Sequence, residues 1–186
     1  RVISGGVKII QYRDKINKVS QKIINANKIK NICNKYNILF IVNDSADLAK
    51  EVDSDGVHIG QNDDTIKYCK KILSKEKIIG TSNNSMQEIY KSIKAKVDYL
   101  AIGKVFETNT MGKRDRNIVG LDLITETKKI TNIPIVAIGG INKNNAEKVI
   151  KSGAHSICVV SGIIKTSNPK LEANNFKKFF DNEKKI

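Results

Sequence analysis

Short runs of β-branched and aliphatic residues recur along the chain, separated by stretches in which apolar positions return every three or four residues. Residues 7–11 (Val-Lys-Ile-Ile-Gln) predict a strand, and residues 17–36 predict a helix carrying Val19, Ile23, Ala26, Cys33 and Tyr36. Residues 38–42 form a second predicted strand, followed by a short helix over 46–52; 56–59 is a third strand and 78–79 a brief fourth. The next helix opens on Ser85-Met86-Gln87-Glu88, a capping box in which Ser and Glu satisfy each other's amides. Three more strands fall at 98–102, 133–138 and 156–160, with helices over 121–130, 144–152 (Gly153 as its stop) and 171–180.

Strands that lack polar alternation and are interleaved with helices imply parallel βαβ units covered on both faces. Two architectures satisfy that pattern, an open doubly wound sheet and a (β/α)8 TIM barrel. Within the 186 residues there is no internal repeat or linker, so one barrel domain over 1–186 is expected. Seven strands are one short of closure, and the simplest account is a barrel whose first strand is missing from this chain.

Composition narrows the choice of partners. The formal net charge of +14 favours anionic ligands, but the lysines are spread over nearly every predicted helix and aromatic residues are few. Small anionic molecules are therefore expected as partners and nucleic acid is not; a homo-oligomer stays open. No apolar run approaches the length of about 18 residues that a membrane span needs, and residues 1–6 do not read as a secretory leader. Cys33, Cys69 and Cys158 are widely spaced within apolar segments, which predicts packed thiols in a reducing cytoplasm and no zinc or disulfide framework.

Parallel α/β folds gather their chemistry at the carboxyl ends of the strands. On the first strand Val7, Ile9, Gln11, Arg13 and Lys15 share one face, which predicts two inward cations that need an anion. The second strand ends in Asn43-Asp44 and the third runs into Gln61-Asn62-Asp63; two carboxylates beside two cations suit Mg²⁺ with phosphate oxygens. Helix capping by Asp44 and a turn role for Asp63, with Asp64 and Thr65 able to cap, are the plainer alternatives. Later strands end in Gly80-Thr81-Ser82, Thr108-Asn109-Thr110, Gly139-Gly140 and Val160-Ser161-Gly162, hydroxyls and bare amides suited to a phosphate. His58 and His155 read as structural, and no nucleophilic triad can be assembled.

Taken in order, Gln11-Tyr12-Arg13-Asp14-Lys15, Val42-Asn43-Asp44, Asp55 through Asp63, Ile79 through Ser82, Val105 through Thr110, Ile133 through Ile141 and Val159-Val160-Ser161 resemble the thiamine phosphate synthase family. The resemblance spans nearly the whole chain. It implies a (β/α)8 barrel enzyme, a transferase that joins a hydroxymethylpyrimidine diphosphate to a thiazole phosphate and releases pyrophosphate. It also implies roles by position. Gln11, Tyr12, Arg13, Asp14, Lys15, Asn43 and Ser82 would hold the pyrimidine diphosphate, with Arg13, Lys15 and Ser82 acting on the leaving group. Asp44 and Asp63 would bind Mg²⁺ as cofactor, and Thr108, Asn109, Thr110, Gly140, Val160 and Ser161 would hold the thiazole phosphate. Met111 stands where the family has a lysine, and Lys113, in the loop that follows, is expected to make up part of that charge. The alternatives are a thiazole tautomerase-like isomerase, which uses a histidine where Lys104 stands, and a non-catalytic phosphate-ligand or nucleic-acid binding protein.

Overall fold

The computed structural model describes residues 1–108 and 117–183. Their contacts group into two compact units, Lys8–Thr81 and a second made of Arg1–Val7 with the described residues from Ser82 onward.

The first unit is built on parallel strands in chain order. β1 (Ile9–Tyr12) pairs with β2 (Leu39–Asn43), β2 with β3 (Gly56–Ile59), and β3 with β4 (Ile78–Asn83), whose last two residues group with the second unit. Phe40, Ile41 and Val42 are consecutive and all buried, as are all four residues of β3, the signature of strands covered on both faces. Helices α1 (Val19–Lys35), α2 (Ala46–Glu51) and α3 (Ile66–Ile72) supply the cover through Ala26, Cys33, Ala46, Ala49 and Cys69. α3 is absent from the expectations above, although Thr65 caps it by accepting from the Tyr68 amide.

The second unit repeats the scheme. β5 (Tyr99–Ile102), β6 (Ile135–Ile138) and β7 (Ser156–Cys158) are parallel and in chain order. They alternate with α4 (Met86–Lys94), α5 (Asp122–Ile130), α6 (Ala146–Lys151) and the short α7 (Ser161–Ile164), before α8 (Pro169–Glu183). A 3-10 turn, Ile3–Gly5, packs against α8. Its Gly5 has no room for a side chain, because a Cβ would sit 2.4 Å from the Lys170 carbonyl oxygen.

Seven parallel strands among the described residues agree with the α/β reading. Three local expectations need correction. The face of β1 that was to point inward is not buried: Ile9 is 47% exposed, and Gln11, Arg13 and Lys15 also reach solvent. The two cations therefore need no buried anion to stay charged. β4 is six residues long where two were expected, because Gly80 to Asn83 continue the strand despite their polarity. In the capping box Ser85 accepts from the Glu88 amide as predicted, but Glu88 reaches back to the amide of Asn84 (2.6 Å).

Candidate active site

In the first unit the chain reverses tightly after β2, and that turn carries the first acidic residue. Asp44 has a left-handed backbone (φ 73°) and gives its amide to the His58 carbonyl (2.8 Å), so the turn is pinned to β3. Ser45 caps α2, accepting from the Leu48 amide. Asp64, from the loop after β3, accepts a bond from the Ala46 amide (2.7 Å), tying the two loops together. Asp63 sits in the same loop and accepts from the Gly60 amide (2.6 Å).

These bonds bring the two acids to one place. Lys15 pairs with Asp44 and lies 3.9 Å from Asp63, and the Asn43 amide group donates to Asp44. Burial, then the neighbouring Asp44 carboxylate, pushes the Asp63 carboxyl above its ordinary range. Two carboxylates crowded this way call for positive charge, which Lys15 supplies here. Among the described residues no third acid, histidine or cysteine joins the pair. A hard ion held by two carboxylates would therefore complete its shell with water or ligand oxygens, which suits Mg²⁺ and a diphosphate. The residues present fit the ion.

A cavity of about 650 Å³ opens beside this cluster, lined by Tyr12, Asp14, Lys15, Asn43, Asp44 and the first turns of α1 and α2. Asp14 is engaged within its own loop. It accepts from the amides of Ile16 and Asn17, the Asn17 side chain and the Tyr12 hydroxyl, and the Asn17 bonds foremost hold its carboxyl far below the usual range. Tyr12 is half-buried, and burial, followed by Asp14, raises its hydroxyl pKa. The geometry thus gives Asp14 and Tyr12 the task of shaping the loop that presents Arg13 and Lys15.

In the second unit the strand ends form a cradle of small residues. Gly139 and Gly140 both have left-handed backbones (φ 104° and 66°), and a Cβ on Gly140 would lie 2.4 Å from the Glu107 carbonyl oxygen. Only glycine fits there. The Gly140 carbonyl accepts from the side chains of Asn142 and Asn145. A Cβ on Gly162 would fall 3.6 Å from the Ile141 carbonyl oxygen, so the loops after β6 and β7 run side by side. Val160 and Ser161 are exposed at the start of α7, and Thr108 is half-buried. Ser82, half-buried near the end of β4, groups with this second unit. Asn109, Thr110, Met111 and Lys113 lie outside the described residues.

The two histidines do structural work. His58 is buried in β3. His155 exchanges bonds with Ile135, its amide reaching the Ile135 carbonyl (2.9 Å) and its Nδ1 accepting from the Ile135 amide (3.0 Å). Cys33 and Cys69 are buried, and burial raises the Cys69 thiol to about 11, far from any nucleophilic role.

The sequence model of the family described as "Thiamine monophosphate synthase" matches residues 1–163. The chain belongs to that family. It is 43% identical over 183 residues to "Thiamine-phosphate synthase" of Persephonella marina, covering 98% of this chain and 86% of that protein. A second relative of the same name, from Prochlorococcus marinus subsp. pastoris, is 42% identical over 173 residues; the match covers 93% of this chain and about half (49%) of that protein. Among solved structures, a thiamine phosphate pyrophosphorylase from Pyrococcus furiosus superposes with a TM-score of 0.90 at 32% identity, covering 97% of this chain and 86% of that one. The family makes this chain a transferase of thiamine biosynthesis.

Two residues take places in the local architecture that the sequence did not give them. Asp64 caps α2, not the helix that follows it in sequence, and only the folded loop brings it there. Lys104, unusual for a lysine, is almost wholly buried at the end of β5. Its position inside the apolar run Tyr99-Leu100-Ala101-Ile102-Gly103-Lys104-Val105-Phe106 was the available signal.

No described helix is long and apolar enough to cross a membrane.

Proposed function

We propose that this chain joins a pyrimidine diphosphate to a thiazole phosphate on an eight-stranded barrel plan, with Mg²⁺ held by Asp44 and Asp63. The observation that carries the reading is the carboxylate pair at the ends of β2 and β3, bridged by Lys15, in a member of the thiamine monophosphate synthase family. Gln11, Arg13, Lys15 and Asn43 bind the diphosphate, with Ser82 taken along from the family pattern. Thr108, Gly140, Val160 and Ser161 hold the thiazole phosphate, with Asn109 and Thr110 taken along from the family pattern.

The chemistry follows from where charge grows. The bond between the pyrimidine methylene carbon and the diphosphate oxygen breaks, and negative charge gathers on the leaving pyrophosphate. Bound Mg²⁺ would supply charge neutralisation at those oxygens. Arg13 reaches solvent at the strand mouth and is available to the same oxygens. Lys15, already beside the Asp44 and Asp63 carboxylates, takes the diphosphate as a third anionic partner. The thiazole nitrogen then attacks the pyrimidine cation as a neutral lone pair, so no general base is needed. That agrees with two histidines committed to β3 and to Ile135. The buried thiols suit a cytoplasmic setting, and the substrates are small molecules that need no nucleic acid.

The test is pyrophosphate release with both substrates, with and without Mg²⁺, for the wild type and for Asp44→Ala and Asp63→Ala. Release should require both substrates and the metal, and each substitution should cost about tenfold or more. Full activity of both variants in EDTA would remove the metal assignment, and no release by the wild type would remove the reaction.

A further inference from the structure

Lysine belongs at protein surfaces, and among the described residues Lys104 is the one lysine that is buried, with its side chain 3% exposed. A buried ammonium needs a counter-charge. Glu107, three residues on and itself 67% exposed, provides it through a 2.8 Å contact from Lys104 Nζ to Glu107 Oε1. The same oxygen accepts from the Thr108 amide (3.3 Å). One carboxylate oxygen thus links the cation at the end of β5 to the backbone of the first threonine.

The backbone between them is fastened along its length. Val105 and Phe106 give their amides to the Ile138 and Gly139 carbonyls (3.0 and 3.1 Å), and the Lys104 carbonyl accepts from Val119 (2.9 Å). Gly139 is pressed against Lys104, where a Cβ would lie 2.5 Å from the Lys104 Cβ, and Gly140 against Phe106 and Glu107. Lys104 therefore stands where the segment carrying Thr108 meets the one carrying Gly140.

We propose that Lys104 is a positioning residue for the thiazole phosphate: through Glu107 it fixes the Thr108 amide and the wall against which Gly140 is seated. The inference rests on the functional reading above. A well-packed apolar residue would avoid the desolvation cost of a buried ammonium. A cation that orders two anion-binding loops gives that cost a return in ligand geometry, where small displacements weaken binding sharply.

The experiment measures steady-state kinetics with both substrates for the wild type, Lys104→Met, Lys104→Arg and Glu107→Ala, together with binding of inorganic phosphate followed by ³¹P NMR. Lys104→Met and Glu107→Ala should each raise KM for the thiazole phosphate on the order of tenfold. KM for the pyrimidine diphosphate should stay within about twofold, and Lys104→Arg should recover part of the loss, since it keeps the charge. Where a single variant leaves a charge unpaired and fails to fold, the double variant Lys104→Met/Glu107→Ala, which removes both charges, is measured in its place. Unchanged thiazole phosphate KM in Glu107→Ala, or both KM values rising together, overturns the proposal. A wild type that does not turn over would sink the functional reading alone. Phosphate binding then decides: weaker binding in the variants supports the positioning role, and equal binding overturns it.

Discussion

His155 shows how a single ring can be read twice. The sequence reads it as structural, and the folded chain gives the reason: Nδ1 accepts from the Ile135 amide, while Nε2 lies 3.1 Å from Lys128 Nζ. Burial first, and the Lys128 ammonium second, lower its pKa below the ordinary value of 6.5. Between the folded pKa and about 6.5 the unfolded chain therefore binds more protons than the folded one, and stability falls as pH drops through that window. Above about pH 8 the ring is neutral in both states and contributes no slope. Urea midpoints measured from about pH 7.5 down to about pH 5 should fall more steeply for the wild type than for His155→Gln. Equal slopes would show that the imidazolium is tolerated in place. At this scale the sequence was legible in placing Asp44 and Asp63 at neighbouring strand ends, and the fold brings both carboxylates to Lys15. It was not legible where burial decides: Lys104 is a surface residue by type and a core residue by position.

Elements were legible where apolar spacing is long and regular. The helix predicted over 17–36 forms as Val19–Lys35, and the one over 121–130 as Asp122–Ile130. α3 escaped because only Ile66, Cys69 and Ile72 mark its inner face across seven residues, between a run of turn-forming polar residues and a lysine-rich end. β4 was underread for the opposite reason, since Thr81 and Asn83 are buried in spite of their polarity. The contact from Asp64 to α2 lies beyond either kind of pattern, because it joins residues far apart in sequence. It has a measurable consequence. Asp64→Ala removes the 2.7 Å bond to the Ala46 amide and leaves the start of α2 without that partner, at a cost of about 1 kcal/mol in stability. Because the same loop carries Asp63, and Ala46 lies two residues from Asp44, the proposed metal site predicts that the Mg²⁺ concentration for half-maximal activity rises as well. A fall in stability with an unchanged metal requirement would confine Asp64 to the helix.

For the whole molecule, the alternation of strands and helices predicted parallel strands in chain order, and both units have them. The net charge of +14 was harder to interpret, because a count says nothing about direction. Ion pairing leaves that net charge unchanged but fixes some of the cations in place: Lys30 and Lys77 converge on Asp53, drawing its carboxyl down to about 2, and Lys143 and Lys151 pair with glutamates. What remains is a diffuse positive field around a chain whose two proposed substrates are both phosphorylated. Such a field speeds the approach of anions without touching them, and salt removes it. Raising salt from about 0.1 M to about 1 M shortens the screening length from about 10 Å to about 3 Å. Over that range kcat/KM should fall for both substrates, and further for the diphosphate, which carries more charge. Once substrate is bound at close range the field matters little, so kcat should change far less than KM. A kcat/KM that is flat with salt would mean that the short-range contacts of Arg13, Lys15 and the backbone cradle capture the substrates unaided, leaving the excess lysines to solvation alone.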